Sequence, residues 1–166
     1  PLAAYVSSRR LRFMGKDSIW KFAPIGWVLS ALGAFPVTRG SADREALKRC
    51  IAVLEAGEPL VLFPEGTRQS GPIVQPLFDG AAYVAVKAGV PIIPVGIGGS
   101  ERVMPKGSKM IYPRKCVLVV GEPIIAAMDE TGRVPRSAVK DVTSRLYEDL
   151  QRLFDEAQRL AGTPNG

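Results

Sequence analysis

The chain has 166 residues, of which 46% are hydrophobic and 23% charged, as expected for a folded globular protein that can bury a core. It has no histidine and only two cysteines, which excludes a Ser-His-Asp or Cys-His catalytic pair within the chain and argues against a zinc or haem centre. The net charge of +6 favours anionic partners, namely phosphorylated metabolites, nucleic acid or an acidic membrane surface.

The first part of the chain alternates short strands with helices. A strand is predicted over 10–14, a helix over 24–32 that ends at Gly33, and a second strand over 34–37. Ser41 can cap the next helix, which closes at Gly57. The uncharged stretch 22–38 is interrupted by prolines and glycines, so we interpret it as a core or interfacial helix and not as a membrane span.

The second part continues the same alternation and ends in a long helix. Strands are predicted over 59–63, 90–97 and 116–120, and Asp79 is a suitable N-cap for a helix that runs to Ala88. Apolar residues at spacings of three and four predict an amphipathic helix from about 135 to 160. They are Val139, Val142, Leu146, Leu150, Leu153, Ala157 and Leu160.

This order of elements predicts an α/β fold: a central, mostly parallel or mixed sheet flanked by helices, with a long C-terminal amphipathic helix. We expect a single domain over 1–166, with a frayed tail over 162–166. In such folds ligands bind outside the carboxyl ends of the strands.

The segment "FPEGTR", Phe63–Arg68, directly follows a predicted strand. Pro64 ends the strand because it lacks an N–H, and Gly66 allows a sharp turn. Glu65, Thr67 and Arg68 then project from the strand end, where the Arg fork suits phosphate or carboxylate. The alternative is an ordinary surface turn with an ion pair.

Three basic residues each lie just beyond a predicted strand: Lys16, Arg39 and Arg68. If the strands are parallel neighbours, the side chains converge on one pocket. The spacing therefore predicts an anion-binding site at this edge of the sheet.

Several segments together carry a family resemblance, in this order along the chain: "RRLRFMGKDSIWKFAPIGWVLSALG" (9–33), "GAFPVTRG" (33–40), "LVLFPEGTR" (60–68) and "GAAYVAVKAGVPIIPVGI" (80–97). They resemble the PlsC-type glycerolipid acyltransferases, the 1-acyl-sn-glycerol-3-phosphate acyltransferase family. The resemblance covers about 9–123. It implies transfer of a fatty acyl group from acyl-CoA or acyl-carrier-protein to a lysophosphatidate-type hydroxyl in phospholipid synthesis, with no cofactor and no metal.

The resemblance also implies residue roles. Arg39 would hold the phosphate of the acceptor, Lys16 would lie at the same site, and Phe63, Pro64, Glu65, Gly66, Thr67 and Arg68 would contribute to acceptor binding. The segment "VPIIPV" (90–95) would be mainly structural and close to the acyl-chain site. The family's general base is a histidine in an Asn-His-x-x-x-x-Asp motif, which removes the proton of the attacking alcohol.

The chain departs from this family at two places. The Asn-His-x-x-x-x-Asp motif is absent, and we expect it upstream of Pro1, so the chain alone is expected to be inactive. In "PLFDGAA" (76–82), Phe78 and Asp79 stand where relatives usually carry a Lys or Arg. Asp79 is more simply explained as a helix cap.

The expected partners are the acceptor, the acyl thioester and an anionic membrane surface, bound peripherally on the cytoplasmic side. Two groups of basic residues suit lipid head groups, although charge runs are more often only solvated. They are Arg9, Arg10, Arg12, Lys16 and Lys21, and then Arg102, Lys106, Lys109, Arg114 and Lys115. Nucleic-acid binding is disfavoured because the aromatics lie mostly inside apolar runs. A non-catalytic phosphate- or lipid-binding module remains the alternative.

Overall fold

The structure is a computed structural model that describes residues 9, 11–16, 23–31, 33–37, 44–67, 69–103, 105, 110, 112–125, 128 and 132–163. The chain divides into two compact units, Pro1–Leu62 and Phe63–Gly166. The single domain inferred from length stays a prediction.

The first unit contains a parallel sheet of three strands in the order β2-β1-β3. Strand β1 (Arg12–Lys16) lies in the centre, with β2 (Ala34–Val37) on one side and β3 (Leu60–Val61) on the other. Helix α1 (Ala23–Ala31) connects β1 to β2, and α2 (Arg44–Glu55) connects β2 to β3. Parallel strands of one sheet require crossover connections of this kind.

Three local features hold the first unit together. Gly33 enters β2 at φ +89°, where a Cβ would lie 2.7 Å from the carbonyl oxygen of Leu11. Cys50 of α2 is buried, with its Sγ 3.8 Å from the Sδ of Met14 in β1. Arg12 donates two hydrogen bonds to the Glu58 carboxylate, at 2.6 and 2.9 Å, which joins β1 to the entry of β3.

The second unit begins with the segment 63–79 and continues through helix α3 (Gly80–Ala88), strand β4 (Val95–Gly98) and a short helix α4 (Ser100–Val103). Strand β5 (Val117–Val120) pairs with β4 in antiparallel register, Val95 opposite Val120. The unit ends with α5 (Arg136–Ala161), a helix of 26 residues.

Helix α5 packs directly on β4, because glycines leave no side chain between them. A Cβ on Gly96 would overlap the backbone of Leu153, and one on Gly98 would overlap the backbone of Ala157. A buried cluster lies between α5, α3 and the segment around 124. It consists of Ala82, Val86, Ile124, Val139, Val142 and Leu146.

The predicted α/β fold is confirmed, with corrections in detail. The first strand lies at Arg12–Lys16 and not at 10–14. Strands β4 and β5 form a two-stranded antiparallel sheet of their own and do not extend the parallel sheet of β2, β1 and β3. The long helix is confirmed at Arg136–Ala161. Leu160 is exposed and Ala161 is buried instead, because a periodicity of 3.6 shifts the apolar stripe over so many turns.

Two predicted caps have different outcomes. Asp79 occupies the N-cap position of α3, but its side chain makes no capping hydrogen bond. Its backbone is already helical, at φ −64° and ψ −9°, and Oδ1 accepts from the Thr143 hydroxyl at 2.9 Å. The cap prediction for the side chain is therefore wrong. Ser41 lies outside the described residues.

At the C-terminus, Gly162 ends α5 at φ +77°, and the Thr163 amide donates to the Gln158 carbonyl at 2.9 Å. The chain is thus hydrogen-bonded as far as Thr163, and 164–166 of the predicted tail lie outside the described residues. Among the described helices, none combines the length and the apolar character needed to cross a membrane.

Candidate functional site

The segment after β3 forms a tight turn at Phe63–Gly66. The amide of Gly66 donates to the carbonyl oxygen of Phe63 at 3.0 Å. Gly66 adopts φ +71°, a left-handed conformation that other residues rarely adopt. Gly66 therefore makes the turn as the sequence predicts. The prediction that Pro64 ends the strand is wrong, because β3 already ends at Val61.

The chain returns beside this turn at 75–78. The amide of Phe78 donates to the carbonyl oxygen of Pro64 at 2.9 Å, and the amide of Gln75 donates to Oε2 of Glu65 at 2.9 Å. One carboxylate oxygen of Glu65 thus holds the turn against the returning chain. The Glu65 side chain is half-buried, so this contact is shielded in part from water.

The ring of Phe78 lies against Gly66. A Cβ at Gly66 would be 2.8 Å from Cε2 and 3.2 Å from Cδ2 of that ring. Two features therefore favour glycine at this position: the positive φ, and the Phe78 ring, which leaves no room for a Cβ. The outer part of the Phe78 ring remains in solvent, since the side chain is 68% exposed.

The long helix supports the returning segment at two points. Gln151 of α5 accepts from the amide of Val74 at 2.8 Å and donates to the carbonyl oxygen of Pro72 at 3.1 Å. The Thr143 hydroxyl donates to Asp79. Because α5 also packs along β4, the turn is positioned by the most extensively packed element of its unit.

The predicted site residues are described to different extents. Lys16 is the last residue of β1 and lies opposite Val37, the last residue of β2. The carboxyl ends of these parallel strands therefore lie at one edge, as the sequence predicts. The Lys16 side chain, Arg39 and Arg68 lie outside what the structure describes, so their convergence stays a prediction.

The remaining predicted residue, Thr67, is exposed, and its hydroxyl accepts from Nε2 of Gln69 at 3.0 Å. The turn thus presents a hydroxyl and one carboxylate oxygen beside two exposed phenyl rings, Phe63 and Phe78. Such a surface suits a ligand with a polar head and an apolar part. Across the described residues, His, Cys, Asp and Glu side chains do not gather in threes as a metal site would require.

Sequence reasoning did not find the residues that hold the turn: Gln75, Gln151 and the ring of Phe78. Gln75 and Gln151 belong to no recognisable motif, and their partners lie 10 and 77 residues away. Phe78 gave one signal, since the family resemblance implies a base at this position. That signal marked the position without indicating contact with Gly66.

Comparison with known proteins places the chain in a family. The family model described as Acyltransferase matches residues 1–98. A 1-acyl-sn-glycerol-3-phosphate acyltransferase of Bacillus subtilis is 31% identical over 151 residues, which cover 91% of this chain and 72% of that protein. A chloroplast enzyme of the same name from Brassica napus is 34% identical over 111 residues, 66% of this chain. The match spans 32% of the length of that chloroplast relative.

Among solved structures, the PlsC 1-acyl-sn-glycerophosphate acyltransferase of Thermotoga maritima matches with a TM-score of 0.70 and 27% identity. The match covers 87% of this chain and 56% of that one. The fold, the "FPEGTR" turn and the matched sequence agree: the chain belongs to the PlsC-type acyltransferase family.

Proposed function

We propose that the protein transfers a fatty acyl group from acyl-CoA or acyl-carrier-protein to the free hydroxyl of a lysophosphatidate-type glycerolipid, as a 1-acylglycerol-3-phosphate O-acyltransferase. The observation that carries this proposal is the match to the Bacillus subtilis enzyme, which extends over 91% of this chain and 72% of that protein. A likeness over so much of both chains supports the same type of reaction for this chain.

The reaction forms one ester bond and breaks one thioester bond. The acceptor oxygen attacks the thioester carbonyl carbon, the C–S bond breaks, and the thiol leaves with the proton that the alcohol gives up. Proton removal requires a general base. The 166 residues contain no histidine, so the base that the resemblance implies comes from outside them, and the chain alone is inactive.

The chain's own residues bind and position the acceptor in this proposal. Arg39 and Lys16 hold the acceptor phosphate, and Arg68 adds a planar fork for its oxygens. The parallel ends of β1 and β2, with Lys16 opposite Val37, support this assignment. As the resemblance implies, the Phe63–Gly66 turn and the Thr67 hydroxyl also contribute to acceptor binding.

An acyl-transfer assay tests the proposal. The chain is incubated with lysophosphatidate and oleoyl-CoA, or with oleoyl-acyl-carrier-protein, and phosphatidate and free thiol are measured. We expect no turnover by the chain alone. A fusion protein with a segment that carries the Asn-His-x-x-x-x-Asp motif joined before Pro1 should produce phosphatidate and thiol in equal amounts. The same fusion protein with the histidine of that motif changed to alanine should produce neither.

Further variants separate the enzyme from its alternative. In the active fusion, Arg39→Ala should raise KM for lysophosphatidate far more than it raises KM for the thioester. A protein that binds lysophosphatidate but shows no turnover with the motif in place would be a non-catalytic lipid-binding module. Turnover that Arg39→Ala leaves unchanged would remove the proposed phosphate site.

We also propose that the protein binds peripherally to the anionic cytoplasmic face of a membrane. The net charge of +6 supports this, as does Trp27 of α1, which is 75% exposed. The thiols of Cys50 and Cys116 are both free, as suits a reducing compartment. Not every predicted base is available: Arg12 is paired with Glu58. Sedimentation with anionic vesicles tests this proposal.

A further inference from the structure

Two phenyl rings at the Phe63–Gly66 turn lie in solvent, although rings of this size usually bury most of their surface. Phe78 is 68% exposed and Phe63 is 64% exposed. Phe78 is not on a loose loop, since its amide is bonded to the Pro64 carbonyl and its ring lies against Gly66. The turn itself sets the position of this ring.

The residue that follows Phe78 carries a negative charge, so this edge of the turn combines an exposed apolar ring with an acid. Asp79 is engaged with Thr143 of α5, and it repels an anion. This edge of the turn therefore suits the apolar part of a ligand and not its phosphate.

We propose that Phe78 is a specificity-determining residue whose exposed ring contacts the acyl chain of the lysolipid acceptor. The ring is held beside the polar groups of Glu65 and Thr67, so one ligand can meet both surfaces when it carries a polar head joined to an apolar chain. This inference rests on the proposed function, because it takes the acceptor to be lysophosphatidate.

Equilibrium binding to the chain tests the inference without requiring turnover. The two probes are glycerol 3-phosphate, which has the head group alone, and a short-chain lysophosphatidate below its critical micelle concentration. Phe78→Ser removes the ring, and Phe78→Leu retains apolar bulk. Leu160→Ser is the matched control, because Leu160 is also exposed and lies about 25 Å along α5 from Thr143, which contacts Asp79.

We expect the wild-type chain to bind lysophosphatidate about tenfold or more tightly than glycerol 3-phosphate. Phe78→Ser should weaken lysophosphatidate binding about tenfold and leave glycerol 3-phosphate unchanged. Phe78→Leu should stay within about threefold of wild type, and Leu160→Ser should bind both probes as wild type does.

Three results would overturn the inference. Equal loss of both probes in Phe78→Ser would mean that the ring only shapes the turn. Unchanged lysophosphatidate binding in Phe78→Ser would place the acyl chain elsewhere, with the proposed function intact. Binding of neither probe by the wild-type chain would overturn this inference together with the lysophosphatidate acceptor.

Discussion

At the scale of single residues, Glu65 has a structural role that the "FPEGTR" segment alone does not predict. Its Oε2 accepts the Gln75 amide at 2.9 Å, so the carboxylate closes a loop of ten residues. The Glu65 side chain is expected to face a ligand, and this hydrogen bond to the Gln75 amide limits how far it can move when the acceptor binds.

Glu65→Ala and Glu65→Gln should therefore differ in stability. The alanine variant leaves a half-buried amide without its acceptor, and we expect it to lower the free energy of unfolding by about 1–2 kcal/mol. The glutamine variant retains an oxygen acceptor and should lose less than about 0.5 kcal/mol. Urea denaturation measures both values. Equal losses would show that the acceptor oxygen is not what stabilises the turn.

Cys50 illustrates burial acting on a single titratable group. Removal from water raises the pKa of its thiol from an ordinary 9.0 to about 11. Between these values the unfolded chain loses the proton while the folded chain keeps it. The folded state therefore becomes less stable as pH rises through this window, and the thiol makes no such contribution to pH dependence below it.

The expected measurement is a difference between two proteins. The stability of wild type relative to Cys50→Ala should be constant below pH 9 and should fall as pH rises toward about 11. Lysines and tyrosines titrate in both proteins, so their contribution cancels. A constant difference across the whole range would show that Cys50 ionises in the folded chain as it does in the unfolded one.

At the scale of elements, the contact between β4 and α5 depends on glycine. Gly98→Ala would place a methyl group against the backbone of Ala157, which cannot move without shifting the helix. We expect a loss of about 3 kcal/mol. Gly132→Ala is the control, because Gly132 has φ +73° but open space around it, and it should lose only about 1 kcal/mol.

Thermal and urea unfolding measure both losses. Of the two glycines, Gly132 alone has a positive φ, so backbone strain applies to Gly132→Ala and steric overlap applies to Gly98→Ala. If Gly98→Ala lost no more than Gly132→Ala, the close packing of α5 on β4 would add little to stability. The expected order follows from what each methyl group meets: backbone atoms at Gly98 and solvent at Gly132.

Some helices and strands are predicted better by the sequence than others. The apolar spacing predicts helix α5 to within one residue at each end, because that spacing reflects one long packed face. The sequence does not predict the antiparallel pairing of β4 and β5, because a short apolar run does not specify its partner. The Asp79 side chain is expected to cap α3, but it bonds to Thr143, 64 residues away.

At the candidate site too, the sequence predicts local features but not contacts between distant residues. The sequence identifies the turn at Gly66 correctly, because the conformational freedom of glycine is a local property. The contacts of Glu65 with Gln75, and of Gly66 with Phe78, depend on how the chain returns, and no local pattern encodes that. The absence of histidine from the chain is plain from composition, and it limits the catalytic proposal more than any geometric feature does.

At the scale of the whole molecule, the positive charge should act through local groups of bases and not through the total alone. Beyond a Debye length of about 8 Å at physiological salt, exposed charges are largely screened. In the second unit, Arg114 and Lys115 are exposed and follow Tyr112, which is also exposed. Bases beside an exposed aromatic suit the interface of an anionic bilayer.

Vesicle sedimentation should therefore show binding to anionic lipid that weakens as salt rises, and little binding to neutral lipid. At about 1 kcal/mol per base, the double variant Arg114→Gln/Lys115→Gln should bind anionic vesicles about tenfold or more weakly. Lys48→Gln/Arg152→Gln lowers the net charge equally, but its bases are already paired with Glu45 and Asp149, so it should bind nearly as wild type does. Equal losses would mean that net charge alone governs binding, and equal binding to neutral vesicles would contradict an electrostatic membrane contact.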